Sequence, residues 1–231
     1  MRKRLMFVLV LAVILGACPG VRAETLWDRM GKGFPNREQV YEYVYELRSP
    51  QLQIDVALPQ IIGAADAAWQ GRFNQKLLDF AEQFTAELRE IAHQSEQAGF
   101  EFHAPFEGII RFDLKLNSGG LSSLVIQTYT YTGGAHGMTV RDYINLDLTT
   151  GEHLRFRDFF ATEAELERAA EIINAKVVAE PQRFFIREFT ADEFLADQDF
   201  YLESGRAVIC FGLYEIGPYV AGIQEFAVSA P

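Results

Sequence analysis

The sequence predicts an α+β fold, with antiparallel sheet(s), a long amphipathic helix and a second helix packed on one side. Three patterns carry that expectation. Several runs alternate apolar and polar residues at period 2, the signature of half-buried strands. The stretch 65–97 instead repeats apolar residues every third or fourth position, as an amphipathic helix does. Strands and helices also come in blocks (strands, helix, strands, helix, strands), which favours α+β over a doubly wound parallel sheet.

Residues 1–23 stand apart from the fold. Arg2, Lys3 and Arg4 precede the unbroken apolar run Leu5–Leu15. As a helix this run spans about 16 Å, well short of a membrane core about 30 Å thick. It reads as a secretory signal. Two cuts remain open. Leu15-Gly16-Ala17-Cys18 resembles a lipobox, which would leave 1–17 as the signal and Cys18 as a lipidated N-terminus. Val21-Arg22-Ala23 suits ordinary signal peptidase and makes 1–23 the signal. The expectation is an exported protein of the periplasm, cell envelope or exterior, touching a membrane only through a lipid on Cys18.

Residues 24–35 lack either period and read as an N-terminal tether or a docked irregular segment. The rest divides into a sheet-and-helix half, 36–105, and a second half, 106–231. Residues 38–48 alternate with Tyr41, Tyr43, Tyr45 and Leu47 on one face, and 51–58 alternate with Leu52, Ile54, Val56 and Leu58. These two runs should pair as a hairpin that Pro59 and Gly63 end. Trp69, Phe73, Leu77, Phe80, Phe84, Leu88 and Ile91 form the stripe of the long helix, and Gly99 stops it. A strand at 107–117 and a turn at 117–120 lead into alternating runs at 121–132 and 138–148. His153–Phe156 reads as a short strand, and Phe159-Phe160 as a plug in the core. Thr162 and Glu165 form a capping box for a helix closed by Pro181, and Thr190 with Glu193 repeats the signature. Strands at 206–213 and 222–229 finish the chain.

The net charge of the chain is −11. Removing 1–23 takes away four basic residues and no acids, which makes it −15. Such a surface repels phosphate backbones and argues against nucleic-acid binding. It would speed encounter with a basic partner and weaken in salt. With Cys18 in the leader and Cys210 in the apolar run 207–213, no disulfide framework is available. His93, His103, His136 and His153 show no zinc-site spacing, and no nucleophile elbow, P-loop or dinucleotide fingerprint occurs. No metal and no cofactor is expected.

The candidate site is the corner Gly133-Gly134-Ala135-His136-Gly137 between the two central strands. A histidine on a tight loop can act as an acid–base group or as a contact residue; its bland use is to cap the turn. Tyr129, Tyr131 and Tyr143 could form an aromatic patch beside it, or pack under the long helix. Of the carboxylates Asp113, Asp142, Asp147 and Glu152, Asp147 reads as a turn-stabilising side chain. Cys210 reads as an inert core residue.

The run Tyr131–Gly137, then Asn145, Asp147, Thr150-Gly151, Leu154 and Asp158-Phe159-Phe160, resembles the extracellular domain of the RsiV anti-sigma factor and of PdaC-type peptidoglycan deacetylases. Tyr214-Glu215-Ile216-Gly217-Pro218-Tyr219 and Leu58-Pro59-x-Ile61-x-Gly63 are similar to that family as well. The resemblance spans roughly 36–229. It implies an α+β module of largely undefined function, which in RsiV is the receptor part that binds lysozyme. It supplies no catalytic residue, because in the deacetylases catalysis lies in a separate domain that is not found here. Unlike in RsiV, no sigma-binding segment is expected ahead of the leader, and the expectation is a binding module and not an enzyme. Its partner would be a basic lysozyme-like protein or cell-wall glycan, met at Tyr131, Gly133, Gly134, His136, Gly137 and Tyr143. The competing readings are an envelope polymer-modifying enzyme using His136 with a carboxylate such as Asp142, and a purely structural envelope protein. The oligomeric state is open.

Overall fold

Six strands in chain order make the larger of two sheets in the computed structural model, which describes residues 24–33 and 35–230. They are β1 (Gln39–Arg48), β2 (Leu52–Ile62), β3 (Phe106–Ser118), β4 (Leu121–Tyr131), β5 (Met138–Asp147) and β6 (Glu152–His153). All neighbours are antiparallel except β2 and β3, which run parallel because a long helix crosses over between them. The sequence division near residue 105 therefore runs through the middle of one sheet. The leader and Cys18 lie outside the described residues.

Helix α1 (Leu26–Gly31) is capped by Thr25 and Asp28, whose side chains satisfy each other's free N–H groups. The segment expected as a tether or irregular piece is thus a docked helix, with Met30 fully buried. Helix α2 (Ala67–Gln97) buries Phe73, Leu77, Ala81, Leu88 and Ala92, a stripe at helical spacing, against Ile54, Val56, Leu58 and Ile110 of the sheet. It sits down on Gly108, where a Cβ would come within 2.4–2.8 Å of Leu88, Ile54 and Phe84. Each large side chain buried in this way contributes roughly 2 kcal/mol.

After α3 (Phe156–Phe159) and α4 (Glu163–Ala179), strands β7 (Phe200–Glu203), β8 (Arg206–Phe211) and β9 (Gln224–Ser229) form a second, antiparallel sheet. Along β8 the side chains divide by period 2. Ala207, Ile209 and Phe211 join a core with α4, whereas Val208 and Cys210 face Val125 of the large sheet. Each helix thus covers one side of its own sheet, and the two sheets meet between them. A buried polar relay stitches the sheets together. The Ser123 hydroxyl donates to Asn145 Oδ1 (2.7 Å), Asn145 Nδ2 donates to the Phe200 carbonyl (2.8 Å), and the Leu202 N–H donates to Ser123 Oγ (2.9 Å).

Local differences from the sequence expectations have physical causes. Strand β2 runs on through Pro59, which pairs with Glu42. Strand β3 pairs only with Leu52–Val56, so beyond it β2 has a free side where a missing N–H breaks no ladder bond. The strand expected at 153–156 ends at His153, and Phe156 enters α3 instead, because Asp158 accepts from the Arg155 N–H at 2.7 Å and starts a helical turn. Thr190 and Glu193 cap a single 3-10 turn, Ala191–Glu193. No described helix is long and apolar enough to cross a membrane.

Candidate functional site

The β4–β5 hairpin carries its corner beyond the end of the large sheet's core. Gly133 and Gly134 have φ of +93° and +101°, angles that side chains rarely adopt. The Tyr131 hydroxyl donates to the Gly134 carbonyl (3.2 Å) and holds the turn closed. Gly137 is required for a different reason. A Cβ there would lie 2.4 Å from the Tyr129 ring, so backbone and ring touch directly.

His136 is exposed on this corner, yet its ring is held. It stacks on Tyr219 with centroids 4.2 Å apart and planes at 23°. Its Nδ1 lies 2.9 Å from the Gly137 carbonyl. A carbonyl can only accept, so Nδ1 carries a proton and donates to it. The Tyr219 hydroxyl donates to that same carbonyl at 3.0 Å.

Tyr219 comes from the loop after β8, about 80 residues away. Two close backbone contacts build that loop. The Phe185 N–H donates to the Ile216 carbonyl (2.8 Å), and Gly217 lies so near Arg183 that a Cβ would be 2.3 Å from its carbonyl oxygen. Tyr214, with φ of +67°, turns its ring to within 5.7 Å of Tyr219. Between hairpin and loop runs a groove of about 390 Å³, lined by Gln127, Thr139, Arg141, Leu213, Tyr219 and Glu225. Arg141 spans it, donating to Glu225 (2.7 Å) and to Gln127 (3.0 Å).

The expected residues do not all gather here. Tyr131, Gly133, Gly134, His136 and Gly137 share the corner. Tyr143 lies on the same strand face but farther along, opposite Val125 in the register. Its ring stacks on Tyr201 between the sheets, and burial pushes its phenol far up from the usual range. Asp142 opens on the opposite side of the sheet, in a groove with Phe73, Lys76, Leu77, Ile144 and His153. It is not brought to His136. Among the described residues no carboxylate hydrogen-bonds the His136 ring, and no cluster of His, Cys, Asp or Glu could hold a metal ion.

A second feature escaped the sequence. A polar pocket of about 210 Å³ at the mouth of the inter-sheet space holds Asp199 beside Tyr143 and Asn145. Partial desolvation pushes the Asp199 carboxyl up to about 6, and Glu215 and Asp142 add like charge. Burial likewise pushes the Cys210 thiol up to about 12, so it is an inert core group.

Residues 46–139 match the family model described as Deacetylase PdaC, and residues 157–230 match that of the protein of unknown function DUF3298. The first segment contains His136 and the second Tyr219, so the stacked pair joins the two. A comparison with curated protein sequences returns no match. Among solved structures, a member of the DUF3298 family from Bacteroides fragilis aligns with a TM-score of 0.59 at 16% identity, covering 84% of this chain and 92% of its own. A DUF3298 family protein from Pseudomonas aeruginosa aligns with 0.58 at 16% identity, covering 87% and 92%. Identities this low speak for the fold alone. The chain therefore joins a PdaC-like segment to a DUF3298 segment and fits the PdaC/RsiV type of domain of unknown function.

Proposed function

We propose that this protein is an exported binding module of the cell envelope, and that its contact surface is the corner where His136 stacks on Tyr219. The stacked pair carries this reading. Two glycine-bearing motifs far apart in the chain are brought together to hold one exposed imidazole and two half-exposed phenols in fixed positions. Rigid aromatic groups on a pre-formed surface are what recognition requires, since little side-chain freedom is lost on binding. Among the described residues no carboxylate bonds to His136 in the way that would orient a general base.

The partner class we favour is a basic lysozyme-like protein, because the net charge is −11 before any leader is removed. The flat rings of Tyr214, Tyr219 and His136 also suit stacking on a sugar, which keeps peptidoglycan as the second bait. Membrane attachment, in this reading, is through a lipid on Cys18.

The test is binding of residues 24–231 to an immobilised panel of lysozymes, with peptidoglycan in parallel. Saturable binding that weakens as salt rises is expected for a lysozyme. His136→Ala should lower affinity about tenfold while the melting temperature stays unchanged. Wild-type affinity in a folded His136→Ala would remove the corner from the contact surface, and failure with both baits would sink the reading.

A further inference from the structure

Along most of its length β5 is the outer strand of the large sheet, and only its last part has an outer neighbour. Strand β6 pairs with Leu146 and Asp147 alone, and the Leu154 N–H closes on the Asn145 carbonyl at 2.8 Å. That bond fixes the direction of the rest. In an antiparallel ladder the N–H and C=O of one residue point the same way, and the direction alternates along the strand. The backbone groups of Tyr143, Arg141 and Thr139 therefore point outward, and no hydrogen bond among the described residues meets them.

Protein edges are usually blunted by charge, proline or a bulge. Strand β1, the opposite edge, carries Glu42, Glu46 and Arg48. The open stretch of β5 has neither proline nor bulge, and its register with β4 is unbroken. Met138 and Val140 stand 41% and 55% exposed along it, and its one cation, Arg141, is tied to Glu225. The surrounding charge is mainly acidic. Asp142 is on the strand, Asp197 and Asp199 line the pocket beside Tyr143, and Glu215 lies close enough to act on Asp199, against Arg155 in that pocket and Lys76 in the groove on the helix side.

We propose that β5 is a docking edge, where an extended Lys- or Arg-bearing segment of a partner protein adds to the sheet as a further strand. The outward backbone groups supply the ladder, the exposed Met138 and Val140 give alternate side chains apolar purchase, and the carboxylates select the basic segment. A second copy of this chain fits less well. Two molecules of charge −11 repel, and an antiparallel pairing about Arg141 would set that residue against itself. The proposal deepens the binding-module reading, on which it rests for the existence of a partner, but it concerns the backbone edge of β5 and not the exposed rings of the adjoining corner.

The probe is a synthetic acetylated peptide alternating lysine and valine over about eight residues, long enough to span the roughly 20 Å open stretch. Its binding to residues 24–231 is followed by anisotropy and by amide exchange in NMR spectra. Saturable binding below about 1 mM is expected, with new protection at the amides of Thr139, Arg141 and Tyr143. Val140 and Asp142, already bonded to β4, should gain none. Thr139→Pro removes one outward donor at a position an edge strand tolerates, and Val140→Lys adds a repelling charge. Each should weaken the peptide at least about tenfold, with circular dichroism melts confirming the fold, as should replacing the peptide's lysines by glutamates. No saturable binding, protection at other amides, or equal affinity for the glutamate peptide would overturn the proposal. So would concentration-dependent protection of the same amides without peptide, which would mark self-association. His136→Ala should leave peptide binding unchanged, so loss of lysozyme binding in that variant is read separately from failure of the edge.

Discussion

The two ends of the β4–β5 hairpin are both rich in glycine, and they use it in opposite ways. At the sheet end, Gly119 and Gly120 let the chain close around Arg29: a Cβ on Gly119 would lie 2.1 Å from the Arg29 carbonyl oxygen. The Arg29 guanidinium donates to both oxygens of Asp147 (2.6 and 2.9 Å) and to the Gly119 and Gly120 carbonyls. The guanidinium there is turned inward, with bonds from its Nε and from both terminal nitrogens. At the far end, Gly133, Gly134 and Gly137 turn an imidazole outward and leave one of its nitrogens to solvent. The same residue type builds a lock at one end and a presentation surface at the other. Glycine enrichment therefore marks close backbone approach, and only the side chains it admits or displays decide what the approach is for.

Breaking the lock should have the largest effect. Side chains of Arg29 and Asp147 are only 18% and 11% exposed, so Arg29→Ala strands a buried carboxylate and should cost about 3 kcal/mol of stability in a denaturant titration at pH 7. The same pair sets an acid limb. Hydrogen bonds from Arg29 hold the Asp147 carboxyl down at about 2, with Thr149 adding to them. A carboxylate depressed in the folded state stabilises above its unfolded value near 3.8 and loses that contribution as pH falls toward 2. Wild type should weaken through that window, whereas Arg29→Ala should be flatter there. A variant that melts in parallel with wild type from pH 4 to 2 would show that the acid limb comes from elsewhere.

Much of the lock and the corner was legible in pieces and not in combination. Asp147 read correctly as a turn carboxylate, and Thr149 does donate to it at 2.5 Å from its hydroxyl and 2.9 Å from its N–H. Arg29 carried no signal, because its partner lies 118 residues away. The glycine corner and the Tyr214–Tyr219 loop were each visible as motifs, but period and spacing say nothing about contacts between distant loops. Tyr143 shows the limit of strand alternation, which placed it on the right face without saying that Tyr201 covers it there. Strand β7 was missed because Phe200, Tyr201 and Leu202 are all buried, and a short strand buried on both faces has no alternation to read. Asp199 was invisible because its carboxyl is raised first by burial between the sheets and then by Glu215 and Asp142, all set by other elements of the chain.

At the presentation end, Gly137→Ala should be the next largest change. The Tyr129 ring would have to give way by about an ångström, and overpacking of that kind costs roughly 1–3 kcal/mol. Because Gly137 also anchors His136 and Tyr219 through its carbonyl, partner affinity should fall along with stability, unlike in Arg29→Ala. Loss of stability with full affinity would mean that the corner is structural.

The finest test separates the stack from its anchor. Tyr219→Phe keeps the ring beneath His136 but removes the hydroxyl that donates to the Gly137 carbonyl. That carbonyl still accepts from His136 Nδ1, so no buried acceptor is orphaned and the loss should be only about 0.5–1 kcal/mol. If stacking alone positions the imidazole, affinity for the partner should stay within about threefold of wild type, and Tyr219→Ala should lose far more. If the phenylalanine variant loses as much as the alanine variant, the shared carbonyl is what aims the histidine. The corner would then act as one hydrogen-bonded unit, held as tightly in function as Arg29 and Asp147 are in structure.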